Sequence, residues 1–386
     1  MRTLLITGPG GSGRTTVAAA TALAAARAGH RTLVISADRA DTLGAVLGAP
    51  AAHPGLTALR LAPDDRFRDD LLALQERAAS ALDLLGAERL DGEELTPLPG
   101  AEELALLRAL RDAARDDAYD TVVVDLPATP RALAALALPE QLRRYLRRLL
   151  PPERQAARAL RPMLGRLAGV PMPAAWLYET AARREDELAA VQRVIEDPAT
   201  TVRLVAEPGP AGADAVRTAA TGLALQGLRT DRVVANRILP DASPDTWLAG
   251  LSAQQHKTLD EWESTYDHVG RVPHLGHDPR GADDLAALGL TAPAAAPAPA
   301  AWPVTEAPAD DGSHAYVWHI PLPCVTREEL GLIRRGDELV VTAGPYRRIV
   351  TLPSALRRCT VAGAGLREGE LRVRFAPDPD LWPRER

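Results

Sequence analysis

The chain has 386 residues, enough for about two or three domains of ordinary size and a substantial buried core. Its 45 Lys and Arg against 51 Asp and Glu give a formal net charge of −6, which argues against broad, non-specific binding of nucleic acid. The two cysteines form no CxxC pair, which excludes a disulfide framework and a four-cysteine zinc site within one chain. We therefore expect a cytoplasmic protein. No apolar run reaches the roughly 18 residues of a membrane-spanning helix, so we expect no transmembrane segment.

Arginine dominates the basic residues, since Lys257 is the only lysine. This bias is typical of GC-rich coding and makes arginine-rich stretches less informative about function. From Glu140 to Arg166, arginines far outnumber acids on a helical pattern. Two interpretations stay open for this stretch: a solvated helix face, or a contact with anionic lipid or an acidic partner.

The first part of the chain alternates buried-strand and helix patterns. Five short apolar runs are bounded by turn residues: 3–7, 32–36, 121–125, 201–206 and 232–236. Helical spacing between them predicts an α/β fold with a parallel sheet. Residues 131–200 carry helical spacing alone, which indicates a helical insertion of about that extent.

A second, all-β part follows a linker. Residues 291–313 are rich in Pro and Ala and favour an extended, semi-rigid connection. Four short strand-like runs come after it: 315–320, 337–342, 346–351 and 371–375. They predict a small antiparallel β-sandwich at 314–376, with residues 377–386 as a tail.

Directly after the first apolar run stands a glycine-rich loop, Gly8-Pro-Gly-Gly-Ser-Gly-Arg-Thr-Thr16. Its spacing is that of the phosphate-binding motif G-x-x-x-x-G-K-[ST], with arginine in place of lysine. The residues expected to hold the phosphates of ATP are Gly10, Gly11, Ser12, Gly13, Arg14, Thr15 and Thr16. The Thr15 hydroxyl is also expected to reach Mg²⁺. A glycine-rich turn without a ligand is the alternative.

Arginine is not equivalent to lysine at such a site. Lysine offers a compact point charge, whereas Arg14 offers a larger planar fork, so we expect phosphate binding with little hydrolysis.

Three polar residues stand at the ends of later strands. Asp38 is expected to orient an attacking water, although a loop acid that caps the next helix is an equal alternative. Asp125 ends a run of three valines and is suited to reach Mg²⁺ through water. Asn236, the only asparagine of the chain, could read an adenine edge or simply form a turn.

In this order the four segments resemble the ArsA family of deviant P-loop ATPases, over residues 1 to about 290. The resemblance implies Mg²⁺ and ATP as cofactors, with Thr15 and Asp125 in the Mg²⁺ shell, Asp38 at the water and Asn236 at the adenine. It also implies a dimer that clasps nucleotide at its interface, as a homodimer or as a heterodimer with a related ATPase.

The chain departs from the family pattern at both catalytic lysines. Pro9 stands where the family's signature lysine reaches across the dimer, and Arg14 replaces the phosphate lysine. Pro130 replaces a glycine in the segment after Asp125, which stiffens a region expected to respond to the terminal phosphate. No cysteine precedes residue 324, which argues against arsenite transport.

Residues Tyr316 to Phe375 resemble the α-crystallin domain of small heat-shock proteins, most specifically in Ala364–Val373. A generic sandwich is the alternative. The tail lacks an Ile-x-Ile anchor, so large oligomers are not implied, and the domain would serve as a docking or chaperone-like surface.

The helical insertion could hold a client. In the targeting ATPases the corresponding region lines a groove for hydrophobic helices, and five residues would suit that work: Met163, Leu164, Leu167, Met172 and Trp176. Ordinary packing against the sheet explains the same residues. We therefore expect an ATPase, slow in hydrolysis, that couples nucleotide state to a protein client or partner. The alternatives are a pseudo-ATPase scaffold that pairs with an intact homologue and an ATP-independent chaperone-like protein.

Overall fold

The computed structural model describes most of the chain. The described residues are 1–38, 40–48, 53–77, 79, 82–83, 86, 88–96, 98–149, 175–241, 244–294, 296, 302–308 and 314–381, with side chains from 180 onward in the segment that starts at 175. The groove residues Met163, Leu164, Leu167 and Met172 lie outside this range, as does the side chain of Trp176.

A seven-stranded parallel sheet forms the centre of the first part. Its strands are β1 (Arg2–Thr7), β2 (Thr32–Ser36), β3 (Leu56–Arg60), β4 (Thr121–Asp125), β5 (Thr200–Ala206), β6 (Thr230–Ile238) and β7 (Val269–Pro273). They lie in the order β3-β2-β4-β1-β5-β6-β7, and every neighbouring pair is parallel. The α/β prediction is confirmed, and the five predicted runs are β1, β2, β4, β5 and β6. The two edge strands were missed because β3 is largely exposed and β7 contains both Gly and Pro.

Helices cover both faces of this sheet. They are α1 (Arg14–Arg27), α2 (Thr42–Leu47), α3 (Pro63–Arg77), α4 (Ala101–Arg115), α5 (Thr129–Leu149), α6 (Ala175–Glu196), α7 (Pro210–Leu225), α8 (Thr246–Thr265) and α9 (Gly281–Ala287). The apolar residues of α1, α2 and α9 pack on one face, and those of α4 to α8 pack on the other. Among the helices of the described residues, none combines the length and the apolar character that crossing a membrane requires.

Two antiparallel sheets form the second part. Their strands are β8 (Val304–Pro308), β9 (His314–Pro321), β10 (Leu330–Arg335), β11 (Glu338–Ala343), β12 (Tyr346–Thr351), β13 (Cys359–Arg367) and β14 (Glu370–Pro377). One sheet has the order β10-β11-β12 and the other β13-β14-β9-β8. The predicted sandwich is confirmed, and β9, β11, β12 and β14 are the four predicted runs. Strand β8 lies inside residues 291–313, the segment that the sequence assigned to the linker.

The two parts of the chain are packed together at a surface that we call the domain junction: Leu133, Glu140, Arg144, Gly222 and Leu225 on one side, and Glu338, Tyr346 and Arg348 on the other. Leu225, at the end of α7, is fully buried in the hydrophobic core of the sandwich. A Cβ at Gly222 would lie 2.7 Å from the Tyr346 ring and 2.5 Å from Leu133 Cδ1, so the helix and the sandwich meet at van der Waals contact.

Ion pairs complete the domain junction. Arg144 donates from Nε and Nη2 to the two oxygens of Glu338, at 2.8 and 2.7 Å. Arg348 donates to both oxygens of Glu140 at 3.1 and 3.4 Å, and to the carbonyl oxygen of Leu225 at 3.1 Å. The solvated-face interpretation of the arginine-rich helix is therefore wrong for Arg144, whose side chain is 22% exposed.

Candidate functional site

The carboxyl ends of four strands meet at one edge of the parallel sheet. Ser36 and Asp125 end β2 and β4, and these two residues are direct register partners. Ile6, one residue before the end of β1, pairs with Asp125 on its other side. This topology places the glycine-rich loop, the two acids and Asn236 around one site, as expected for open α/β sheets.

The glycine-rich loop depends on glycine at two close approaches. Gly13 has a φ of 86°, and a Cβ there would lie 2.2 Å from Asn236 Nδ2. A Cβ at Gly8 would lie 1.9 Å from the Val205 carbonyl oxygen. Gly10 and Gly11, in contrast, have no described atom within 4 Å of an added Cβ. The loop is thus fixed at its ends, while its middle faces open space.

The beginning of α1 is suited to receive an anion. Its N-cap is Gly13, no side chain caps it, and its first turn contains no acid. The adjacent Ser12 hydroxyl is buried and has no hydrogen-bond partner among the described residues. Uncapped amides at the positive end of a helix, together with an unsatisfied hydroxyl, fit the oxygens of a phosphate chain.

Asp125 lies beside this loop with two hydroxyl partners. Its Oδ2 accepts from Thr15 Oγ1 at 2.8 Å and from Ser36 Oγ at 3.0 Å. Burial raises the pKa of the Asp125 carboxyl, and the two hydrogen bonds oppose this shift only in part. A hydroxyl and a carboxylate side by side are the hard oxygen ligands that Mg²⁺ takes from proteins. Within the described residues no group of three or more His, Cys, Asp or Glu could hold a metal.

Arg14 lies between the loop and the two acids. Its guanidinium donates to the Gly8 carbonyl oxygen at 3.3 Å. Burial lowers the pKa of Arg14, whereas the charges of Asp125 and Asp38 act in the opposite direction. A partly desolvated guanidinium beside two carboxylates supplies the local positive charge that a polyphosphate requires.

Asp38 is held by bonds within its own loop. Its carboxylate accepts from the Thr42 hydroxyl and from the Ala40 amide, and the Thr42 bond lowers the pKa of Asp38. Asp41 is the N-cap of α2 and accepts from the Gly44 amide at 3.2 Å, while Asp38 accepts from Thr42, the first residue of that helix. Asp38 lines a cavity together with Thr15 and Asp125.

Asn236 anchors the glycine-rich loop. It is buried where the β6–β7 register is interrupted, and its Nδ2 donates to the Ser12 carbonyl oxygen at 2.8 Å. The following residue, Arg237, has a positive φ of 59°. Gln255 on α8 holds this turn by donating to the Arg237 carbonyl oxygen and accepting from the Leu239 amide. This network ties the end of β6 to the loop.

Two cavities flank the beginning of α1. One, of about 430 Å³, is lined by Thr15, Asp38, Asp125 and Arg131, and by Glu102 and Glu103 on α4. The other, of about 340 Å³, lies on the side of Asn236 and is lined by Pro273, His274 and Leu275 among others. Arg14 and Thr15 border both cavities. We call them the metal-side cavity and the Asn236-side cavity.

The structure brings all the predicted site residues to this edge of the sheet. Sequence reasoning missed five others: Ser36, Glu102, Glu103, Arg131 and Gln255. A signal existed for Ser36, since it ends an otherwise apolar strand next to the acid of Asp38. No local pattern marks Glu102 or Glu103, because only the packing of α4 brings them to the cavity.

Comparison with known proteins agrees with this geometry. Residues 1–291 match the model of the anion-transporting ATPase family, ArsA_ATPase, and residues 313–375 match the HSP20-like domain found in ArsA. The chain is 68% identical to "Uncharacterized protein SCO2128" of Streptomyces coelicolor, with the full length of both covered. It is 34% identical to "Protein Rv2184c" of Mycobacterium tuberculosis, over 99% of this chain and 97% of that protein. It is 26% identical to "Putative arsenical pump-driving ATPase 1" of Aquifex aeolicus, over 97% and 99% of the two chains. With a family model matching well over half of its length, the chain belongs to the ArsA family of ATPases and carries that family's HSP20-like domain.

Proposed function

We propose that this ArsA-family ATPase binds Mg-ATP at residues 10–16, hydrolyses it slowly, and uses its nucleotide state to control contact with a protein partner. The observation that carries the proposal is the 2.8 Å bond between Thr15 and Asp125 beside the uncapped beginning of α1. An anion site and an oxygen-donor pair for a cation therefore lie next to each other, which is the combination that a metal-bound triphosphate needs.

Each residue has a distinct part in this proposal. The amides of residues 10–16 and the Ser12 hydroxyl bind phosphate oxygens, and Thr15 and Asp125 hold Mg²⁺. Bound Mg²⁺ supplies neutralisation of the charge on the transferring phosphate. Asp38 borders the metal-side cavity and orients the attacking water through an oxygen lone pair that Thr42 and Ala40 leave unused.

Asn236 contacts the adenine base of the nucleotide in this proposal. Its Nδ2 is engaged by Ser12, so its side-chain oxygen is the group that remains to accept a hydrogen bond from a base amino group. The Asn236-side cavity supplies the apolar walls against which a base can pack, from Pro273 and Leu275.

Slow hydrolysis follows from the two missing lysines. The guanidinium of Arg14 is bulkier than an ammonium group and is already bound to the Gly8 carbonyl oxygen. Pro9 has no amino group to offer to a phosphate across a dimer. The same contact of Arg14 favours the alternative of a scaffold without turnover, in which the loop is occupied by its own side chain.

Helix α5 connects the nucleotide site with the domain junction. It begins at Thr129, four residues after Asp125, and its later residues Glu140 and Arg144 pair with the sandwich. A nucleotide-dependent movement at the end of β4 would therefore reach the HSP20-like domain. The family resemblance supports a dimer, with a second copy or a related ATPase, and a hydrophobic client. The free thiols of Cys324 and Cys359 agree with a cytoplasmic location.

The experiment is titration calorimetry of the purified full chain with Mg-ATP and Mg-ADP, combined with a phosphate-release assay. We expect nucleotide binding with slow release of phosphate, and loss of the Mg²⁺-dependent part of the affinity in Thr15→Ala and Asp125→Asn. We expect the double variant Pro9→Lys with Arg14→Lys to release phosphate at least about tenfold faster than the natural chain. Arg184→Lys, the same substitution on the exposed face of α6, is the matched control.

Three outcomes separate the functions. Binding with slow turnover that the double variant accelerates supports the proposal. If the natural chain binds nucleotide and releases phosphate as fast as the double variant does, the claim that Arg14 and Pro9 slow hydrolysis is contradicted. Absence of binding at millimolar Mg-ATP supports the scaffold, and suppression of client aggregation by that non-binding chain would identify an ATP-independent chaperone.

A further inference from the structure

A second guanidinium, besides that of Arg14, lines the metal-side cavity. Arg131 lies in the first turn of α5 and lines this cavity with Thr15 and Asp125. Its Nη2 donates to Glu102 Oε2 at 2.9 Å and to Glu103 Oε1 at 3.1 Å. Both acids stand in the first turn of α4 and border the same cavity. We call these three residues the Arg131 latch.

In the Arg131 latch, Arg131 and Glu103 each keep polar atoms that have no hydrogen-bond partner among the described residues. One nitrogen of Arg131 serves both acids, and its other two nitrogens have no hydrogen-bond partner within the part of the chain that the structure describes. Glu103 Oε2 is buried without a partner among the same residues. A paired fork between arginine and one carboxylate would use two nitrogens, so this arrangement leaves the guanidinium able to form stronger contacts elsewhere.

Exposure differs sharply between the partners. The side chain of Arg131 is 60% exposed, whereas that of Glu103 is 17% exposed. The guanidinium can therefore leave the acids by rotation of its own side chain, while the acids are held by packing. Because the guanidinium end of the pair is exposed to solvent, breaking these two contacts costs less than breaking a fully buried ion pair.

The charge of the cavity wall favours such an exchange. Asp38, Asp125, Glu102 and Glu103 face the metal-side cavity, against Arg14 and Arg131. A terminal phosphate that enters there adds negative charge near four carboxylates and needs a cation with free donors. Arginine matches phosphate with two parallel hydrogen bonds, and the two unused nitrogens of Arg131 are available for them.

We infer that Arg131 is the residue by which this chain distinguishes a nucleoside triphosphate from a diphosphate, exchanging Glu102 and Glu103 for the terminal phosphate. The inference rests on the proposed function, because it presupposes that nucleotide binds at residues 10–16. It assigns Arg131 to binding specificity and predicts that Glu102 and Glu103 compete with the triphosphate for it.

The test is calorimetric binding of Mg-ADP and of a non-hydrolysable Mg-ATP analogue to the full chain. In Arg131→Ala we expect the analogue to lose about tenfold or more in affinity, with the affinity for Mg-ADP within about twofold of the natural chain. In the double variant Glu102→Gln with Glu103→Gln we expect the affinity for the analogue to rise and the affinity for Mg-ADP to stay unchanged. The reason is that Arg131 is released from the two acids. Arg184→Ala removes an exposed arginine that does not line the cavity and should change neither affinity.

The outcomes separate this inference from the proposed function. If the natural chain binds both nucleotides and the ratio of their affinities is the same in Arg131→Ala, the inference is overturned and the proposed function stands. If the natural chain binds neither, both are overturned. A change of ratio in opposite directions for the arginine variant and the glutamate double variant supports the inference, and it excludes a general loss of folding.

Discussion

The phosphate-loop edge and the domain junction use the same two residue types, glycine and arginine, in opposite ways. At the loop, Gly10 and Gly11 face open space, and Arg14 makes one contact of 3.3 Å with a backbone oxygen. At the junction, the space around Gly222 is filled by Leu133 and Tyr346. The first region is left open to a ligand, whereas the second is already complete.

The arginines of the two regions differ in the same way, since Arg348 at the domain junction makes several contacts where Arg14 makes one. It donates to both oxygens of Glu140 and to the Leu225 carbonyl oxygen, and its guanidinium lies 5.4 Å from the centre of the Trp302 ring. All of these are contacts within the protein. In a chain of such biased composition, the neighbours of a glycine or an arginine, and not its type, decide whether it stabilises the fold or serves a ligand. Substitutions at the domain junction should therefore change unfolding, and those at the loop should change binding.

Leu225→Ala is expected to have the largest effect on stability. The residue is fully buried in the core of the sandwich although it belongs to α7, so its truncation leaves a cavity between the two parts of the chain. Such truncations cost about 2–5 kcal/mol in the free energy of unfolding, measured by chemical denaturation. Leu149→Ala, at a leucine that is 78% exposed, is the control and should be nearly neutral. A tenfold change in nucleotide affinity in Leu225→Ala would break the division between the two regions.

Asn236→Ala tests the loop side of the comparison. Loss of the bond from Nδ2 leaves the Ser12 carbonyl oxygen without its donor, which costs about 1–3 kcal/mol in stability and loosens the loop. We expect the affinity for Mg-ATP to fall more than that for Mg-GTP, because the side-chain oxygen is also removed from the base. Gln254→Ala deletes an exposed carboxamide on α8 as a control. Equal losses for the two nucleotides would assign Asn236 to loop anchoring alone.

Gly222→Ala compares two helical glycines with different surroundings. A Cβ at Gly222 would lie 2.5 Å from Leu133 Cδ1 and 2.7 Å from the Tyr346 ring, so we expect a loss of about 1–3 kcal/mol in the free energy of unfolding. Gly250, on the exposed face of α8, has nothing within 4 Å of an added Cβ. There the same substitution should gain about 0.5–1 kcal/mol, because alanine favours helix. Thermal denaturation of both variants shows whether the signs differ.

Most of the fold could be predicted from the sequence because its signals are local. The central strands β1, β2, β4, β5 and β6 are continuous apolar runs, and the parallel order then brings their ends to one edge. The edge strands β3 and β7 could not be recognised, since an exposed strand lacks that apolar signal. Strand β8 was hidden in the Pro- and Ala-rich segment because its pairing partner, β9, lies outside that segment.

The residues of the candidate site likewise fall into those that the sequence predicts and those that it does not. Thr15, Asp125 and the glycines follow from spacing along the chain, and their proximity follows from the sheet. The partners of Arg131 cannot be inferred from spacing, because Glu102 and Glu103 reach the cavity only through the packing of α4. The role of Arg144 at the domain junction was missed for a related reason: its partner, Glu338, is 194 residues away, and no local pattern reports such a pair.

Glu338→Gln is expected to have the smallest effect and adds a pH dependence to the comparison. The bidentate hydrogen bonds from Arg144 hold the pKa of Glu338 below its ordinary value. A lowered pKa means that the folded chain favours the ionised form of Glu338. The stabilisation is therefore fully present above about pH 4.5, where the unfolded group is also ionised, and it is lost as pH falls through the lower pKa of the folded chain.

We expect the natural chain to be about 1 kcal/mol more stable than Glu338→Gln at pH 7. We expect this difference to shrink in more acidic buffer, where both chains carry a neutral side chain at this position. Glu328→Gln, at an exposed glutamate that has no ion-pair partner among the described residues, is the control substitution. A difference that stayed constant down to pH 3 would mean that residue 338 stabilises the domain junction through its shape and not through its charge.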